Sequence, residues 1–308
     1  MQSTQFIWKN GCFIPWHDAH VHVLAHGLHY GSGVFEGIRF YETASGPAIF
    51  KLREHVDRFF YSAAQLAMPL PYFQEDISQA IIDTVKCNKI KSGYIRPLAF
   101  YGYGSMKVVP EDDLPVEIII ACWPWGNYLA QTAVDVKTSH YIRIHPQSTI
   151  ANAKISGHYI NSLVAGLAIK NTHYHEVLLL DAMGYVAEAS TSNIFIVKNN
   201  QLITPPCGTI LEGITRQTVI EIAQHLGMAV AENKLTHQDV IHADEAFFTG
   251  TAVEITPIRS LDDMLIATGE IGVITQKIQT FYKKIIHGNA PSFQSALTWI
   301  TPTREAAA

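Results

Sequence analysis

Asn193-Ile194-Phe195-Ile196-Val197-Lys198-Asn199-Asn200-Gln201-Leu202-Ile203-Thr204-Pro205-Pro206-Cys207-Gly208-Thr209-Ile210-Leu211-Glu212-Gly213-Ile214-Thr215-Arg216 is the stretch that decides the class of fold. Two apolar, β-branched runs flank Asn199-Asn200, so residues 193–198 and 201–204 should form a hairpin. A glycine-bearing loop then opens a helix at 215–226, apolar at helical spacing and stopped by Gly227. A hairpin that runs straight into a helix is not the strict alternation of a doubly wound sheet. It points to an α+β fold.

The flanking sequence agrees. Upstream, Asn10-Gly11 between apolar residues predicts a hairpin over 6–14, with further strands at 34–41, 48–52, 94–101 and 116–123. Residues 54–66 carry Val56, Phe59, Phe60 and Ala63 at helical spacing, and 77–85 reads as a second helix. After a connection near 124–131 come strands at 134–138, 176–181 and 185–189 and a helix at 159–170. Strands at 245–249 and 253–258 and a helix at 272–287 complete the reading, and the tail after Thr301 should fray.

Composition narrows the function. Apolar residues make up 48% of 308, charged residues 16%, and net charge is −5, enough for a sizeable core and unlike a nucleic-acid or anionic-membrane binder. Cys12, Cys87, Cys122 and Cys207 stand far apart, which suits neither a zinc site nor a disulfide framework. The first residues lack a signal-peptide pattern, and the apolar run at 118–123 is too short to span a bilayer. The expectation is a cytoplasmic protein.

Lys154, in Ala151-Asn152-Ala153-Lys154-Ile155-Ser156-Gly157-His158-Tyr159, is a lone amine among small and apolar residues. Partial desolvation there would favour a neutral amine able to attack a carbonyl. An aldehyde cofactor bound that way needs an acid for its ring nitrogen, and Glu188 follows in the sequence. The loop at 208–216 entering a helix suits a phosphate, against the plainer alternative of a helix capped by Thr215. Gly250-Thr251-Ala252 offers backbone donors and a hydroxyl, and Arg58 a bidentate clamp. His17, His20, His22, His26 and His29 crowd one segment, but no carboxylate or cysteine cluster completes a metal site.

Taken in order, His29-Tyr30-Gly31-Ser32-Gly33-Val34-Phe35-Glu36-Gly37-Ile38-Arg39, Tyr94-Ile95-Arg96-Pro97-Leu98, Pro124-Trp125-Gly126-Asn127-Tyr128-Leu129, Lys154 with Gly157 and Tyr159, Glu188 with Asn193, Gly213-Ile214-Thr215-Arg216 and Gly250-Thr251-Ala252-Val253-Glu254-Ile255-Thr256-Pro257 resemble the bacterial branched-chain amino acid aminotransferases, pyridoxal-phosphate enzymes of fold type IV. The resemblance runs from about residue 6 to about 287. It implies a small N-terminal α/β domain at 1–125, a linker at 126–133, and a larger cofactor-binding domain at 134–308 built round a barrel-like sheet. It implies reversible transamination of L-leucine, L-isoleucine and L-valine with 2-oxoglutarate.

The same resemblance assigns roles. Lys154 would form the Schiff base with pyridoxal 5'-phosphate and then shuttle the substrate proton. Glu188 would hold the ring nitrogen and Tyr159 the phenolic oxygen, with Arg58, Ile214, Thr215 and Thr251 on the phosphate. Tyr94, Thr251 and Ala252 would meet the α-carboxylate, and Tyr30, Phe35, Met106, Val108 and Tyr128 would line the side-chain pocket. Gly37 and Arg39 belong to the same substrate-side motif, and Arg96 would be the counter-charge for glutamate. Tyr30 would act across a homodimer interface. The chain departs from the pattern after Glu188, where Ala189-Ser190-Thr191-Ser192-Asn193 replaces Gly-x-Gly-Glu-Asn and looks closer to D-amino-acid aminotransferases. A D-amino-acid or amine transaminase, or an aminodeoxychorismate-lyase-like enzyme, is the alternative; a histidine-rich metal-binding protein is a remote one.

Overall fold

The computed structural model describes residues 2–126 and 133–300, so Tyr128 and the tail after 300 lie outside the described residues. The chain forms two compact units, and neither is a continuous stretch. The first takes everything through Gly126, the short segment Ala153–Gly157 and the chain from Lys284 onward; the second takes the remainder. No helix among the described residues is long and apolar enough to cross a membrane.

The first unit opens with β1 (Phe6–Lys9) and β2 (Cys12–Pro15). Asn10 (φ 48°) and Gly11 (φ 93°) turn between them in the left-handed region, as a two-residue hairpin turn requires. A short helix α1 (His26–Tyr30) precedes β3 (Gly33–Phe35), β4 (Ile38–Thr43) and β5 (Gly46–Phe50). Two helices follow, α2 (Leu52–Gln65) and α3 (Gln74–Asn88), then the long strands β6 (Gly93–Tyr101) and β7 (Val116–Trp123). The antiparallel sheet runs β5-β4-β6-β7-β1-β2, with β3 also on β6 and the strand Leu297–Trp299 on the outer edge of β5. Helix α2 buries Val56, Phe59 and Ala63, and α3 buries Ile77, Ala80, Ile81 and Val85. Each large aliphatic or aromatic side chain so buried contributes about 1.5–3 kcal/mol.

The sequence predicts one strand over residues 34–41, and the chain forms two. β3 and β4 pair with β6 in one continuous register, Phe35 opposite Leu98 and Ile38 opposite Ile95. Between them the Glu36 N–H donates to the Pro97 carbonyl (2.9 Å), but Pro97 has no N–H to return the bond. The ladder lapses there, and the Glu36 side chain is buried.

The second unit carries β8 (Val134–Thr138), α4 (Tyr159–Leu167), β9 (Glu176–Leu180), β10 (Val186–Ala189), β11 (Asn193–Lys198) and β12 (Gln201–Thr204). Then come α5 (Ile214–His225), β13 (Ala229–Glu232), α6 (His237–Ile241), β14 (Glu245–Gly250), β15 (Glu254–Leu261), β16 (Met264–Leu265) and α7 (Val273–Ile286), whose residues from Lys284 on count with the first unit. The sheet order is β10-β9-β8-β15-β14-β11-β12-β13, with β16 on β15. β8 is parallel to both neighbours and β12 is parallel to β13; the other pairs are antiparallel. Val134, Leu178, Ile194, Ile196, Phe248 and Ile258 lie in its core. This mixed content is the α+β class read from the hairpin and helix at 193–226.

Candidate active site

In the first unit the backbone of Lys154 is held at both ends. Its N–H donates to Ser62 Oγ on α2 (2.9 Å), and its carbonyl accepts from the Phe35 N–H (3.2 Å). Ile155 bridges to Val34, and the Gly157 N–H donates to the Gly31 carbonyl (3.1 Å). The half-buried side chain carries its amine over the Phe35 ring, 5.1 Å from the centroid.

Arg96 lies over the other substrate-side aromatics, 4.6 Å from the Phe35 centroid and 5.7 Å from that of Tyr94. Among the described residues no acid pairs with it, and its buried Nε makes no hydrogen bond. Tyr94 packs against Trp123 and Trp125, each at 5.4 Å. Gly37 is required there: a Cβ would sit 1.9 Å from the Tyr94 hydroxyl. Arg39 is buried, stacks 5.2 Å over Tyr41 and donates weakly to the Gly126 carbonyl.

Tyr30 and Met106 meet through the Tyr30 hydroxyl and the Met106 carbonyl (2.9 Å), yet both side chains are exposed, as is Val108. The histidine segment forms no metal cluster among the described residues. His26 instead bonds Ser32 Oγ and the Lys107 carbonyl, and His22 stacks on Tyr103.

Arg58 does not stand alone as a clamp. Its Nε and Nη2 grip the fully buried carboxylate of Glu36 at 2.6 and 2.9 Å, and His55 Nδ1 lies 2.7 Å from the same group. Burial alone would raise the Glu36 carboxyl. The Arg58 guanidinium and His55 outweigh it and hold the group well below the usual carboxylate range. Burial pushes the His55 imidazole down, against the opposing pull of Glu36. Glu36 thus fixes the plane of the Arg58 fork.

In the second unit Glu188 is buried on β10, with Arg143, Asn193 and the Leu211 N–H among its donors. Arg143 Nε donates to Oε1, while Asn193 Nδ2 (3.0 Å) and the Leu211 N–H (3.2 Å) donate to Oε2. Asn193 also donates to the Leu211 carbonyl, tying the loop before α5 to the acid. Helix α5 starts at Ile214, so Thr215 lies within its first turn and is not the cap. No side chain caps it and its first turn has no acid, which leaves the positive end of the helix for an anion. The N-cap Gly213 could not carry a side chain, since its Cβ would lie 2.0 Å from Asn193 Oδ1. Thr251 and Ala252 occupy the turn between β14 and β15, and the buried Thr249 hydroxyl beside them has no hydrogen-bond partner.

This donor set fits a phosphorylated pyridine. It offers an uncapped helix start, an orphaned hydroxyl and a buried carboxylate fixed by protein donors. Tyr159 opens α4, which Ser162 Oγ ties to the Ser190 carbonyl. Arg216 is structural, buried between the Pro205 carbonyl and Glu232. Sequence reading missed Arg143, His55 and Ser62. Nothing local marks any of the three.

Residues 33–261 match the family of class IV amino-transferases. The chain is 43% identical over 286 residues to the branched-chain-amino-acid aminotransferase of Pseudomonas aeruginosa, covering 92% of this chain and 93% of that one. It is 39% identical over 292 residues to that of Escherichia coli K12, covering 93% and 94%. It superposes with a TM-score of 0.92 and 32% identity on the branched-chain amino acid aminotransferase of Thermobaculum terrenum in its PLP-form, covering 98% of this chain and all of that one. The chain belongs to the class IV aminotransferases and, within them, to the branched-chain-amino-acid aminotransferases.

Proposed function

We propose that the protein reversibly transfers the amino group of L-leucine, L-isoleucine and L-valine to 2-oxoglutarate, with pyridoxal 5'-phosphate as cofactor. Identity of 43% and 39% to two branched-chain-amino-acid aminotransferases, over 92% and 93% of the chain, carries the proposal. When bound, the cofactor supplies a carbonyl carbon for the amino group and a ring that accepts the electron pair left at the substrate α-carbon.

The chain's own residues do the rest. Lys154 Nζ takes the α-proton and returns it to the acceptor carbon, its backbone fixed by Ser62 and Phe35. Glu188 keeps a proton at the ring nitrogen, and Tyr159 meets the phenolic oxygen. The start of α5 at Ile214 and Thr215, with Thr251 and Arg58, receives the phosphate.

Phe35, Tyr94 and Arg96 handle the substrate, with Tyr94 and the turn at Thr251 and Ala252 at its α-carboxylate. The aromatic faces favour a branched aliphatic side chain, by about 0.8 kcal/mol per buried CH₂. Arg96, with no acid paired to it among the described residues, supplies the charge for the γ-carboxylate of glutamate. Tyr30, Met106 and Val108 are exposed in the single chain, which supports a homodimer in which a second copy completes the pocket. We place the enzyme in the cytoplasm.

A substrate panel tests the reading: L-leucine, D-alanine and 1-phenylethylamine as donors, each against 2-oxoglutarate. L-leucine should be the best donor. If it is the poorest, the Ser190-Thr191-Ser192 departure marks a change of reaction and the assignment fails. Lys154→Ala should abolish turnover and still bind cofactor non-covalently.

A further inference from the structure

Arg143 lies in the irregular segment between β8 and α4, outside every motif of the sequence reading. Its backbone N–H donates to the Leu180 carbonyl at the end of β9 (2.8 Å), which fixes where the side chain starts. The guanidinium then does two things. Nε donates to Glu188 Oε1, in an ion pair whose two side chains are about nine-tenths buried (11% and 8% exposed). Nη2 donates to the carbonyl of Ala151 (3.3 Å), three residues before Lys154 in the chain. One planar group therefore spans the acid and the backbone that leads into the lysine.

We propose that Arg143 is a positioning residue for the ring-nitrogen acid: it holds Glu188 ionised and orients its carboxylate. This rests on the reading of Glu188 as the partner of the cofactor ring nitrogen. A buried carboxylate keeps its charge only when donors and a counter-charge replace water. Asn193 and Leu211 supply neutral donors to Oε2; of the three groups, Arg143 is the one that brings a full positive charge, on Oε1. Without it Glu188 would take up a proton more readily, and a protonated acid no longer draws a proton onto the ring. The planar guanidinium also fixes direction, since its N–H vectors lie in one plane and the Ala151 carbonyl holds Nη2.

The test compares apoenzyme affinity for pyridoxal 5'-phosphate with that for its analogue bearing carbon in place of the ring nitrogen. Wild type should prefer the natural cofactor by about tenfold or more, the equivalent of about 1.4 kcal/mol. Arg143→Gln should cut that preference to about twofold while changing affinity for the analogue by less than about threefold, because only the ring-nitrogen contact is lost. Arg143→Lys, which restores charge without the fork, should recover part of the preference and serves if the glutamine variant fails to fold. In a Glu188→Gln background, Arg143→Gln should add nothing further to the discrimination. Equal weakening of both cofactors, or an unchanged preference in either Arg143 variant, overturns the proposal. A wild type that does not discriminate at all overturns the reading of Glu188 itself.

Discussion

Replacing Glu36 by glutamine puts the buried charge cluster of the first unit to the test. The carboxylate accepts four donors: Arg58 Nε at 2.6 Å and Nη2 at 2.9 Å, His55 Nδ1 at 2.7 Å and the Gly37 N–H at 3.2 Å. Glutamine keeps the shape but has one accepting oxygen, and its NH₂ would face donors across the other half of the site. At least one charge-assisted bond to Arg58 is lost outright and the guanidinium loses its buried counter-charge. The charged bonds contribute about 1.5–3 kcal/mol each, and breaking a buried ion pair from one side costs about 3–5 kcal/mol. The two routes bracket a cost of about 1.5–5 kcal/mol at neutral pH.

Urea unfolding of the apoenzyme reads that cost as a fall in midpoint at constant slope. The pH dependence sharpens it. Glu36 has its carboxyl held far below the ordinary value, so its stabilisation is fully present above about pH 4.3 and lost only as pH falls further. Between about pH 8 and about pH 6.5, where His55 is neutral, the difference between wild type and Glu36→Gln should therefore stay flat. A cost below about 1 kcal/mol, or one that shrinks within this window, would mean that Glu36 carries a proton near neutrality; the account of the Arg58 fork would then be wrong.

Two further substitutions probe the second unit. Gly213→Ala drives a Cβ into Asn193 Oδ1 and should loosen the bonds from Asn193 to Glu188 and Leu211; cofactor affinity measured by titration should fall about tenfold, matching Asn193→Ala, and an unchanged affinity would show that the loop yields at no cost. Glu176 has its carboxyl raised by burial, so ionisation opposes folding and stability should decline as pH rises above the ordinary carboxylate range; Glu176→Gln should raise the melting temperature more at about pH 8 than at about pH 5, and an equal gain at both refutes it.

The parts legible in the sequence are those whose signal is local. Val116–Trp123, Asn193–Lys198 and Gln201–Thr204 are apolar runs bounded by turn residues, and the strands keep those limits. Lys154, Glu188 and the glycine loop before α5 stand out as candidates because each sits in its own short motif. What escapes depends on partners far along the chain. Glu36 stands in a glycine-rich stretch that suggests close approach to a ligand, but its partners lie 19 and 22 residues on. Arg143 reaches Glu188 across 45 residues, and Ser62 reaches Lys154 across 92. The break in 34–41 depends on Pro97 lying opposite, which is a matter of register. Thr215 resembles a cap because Ser and Thr favour that position; the helix starts one residue earlier because Gly213 takes an extended conformation (φ −69°, ψ 129°).

The discontinuity of the first unit bears on how the enzyme is made. The outer strand Leu297–Trp299 pairs with β5, and Ala153–Gly157 is threaded into the same unit between two spans of the other. A ribosome that has released only the residues through Gly126 has supplied neither. The first unit then lacks its edge strand, and the lysine segment reaches it only after the chain has begun the second. Emerging chains of this protein must therefore wait in a partly assembled state until Trp299 is clear of the exit tunnel. A chain truncated after Gly126 should keep an open sheet edge and be prone to pairing with its own kind.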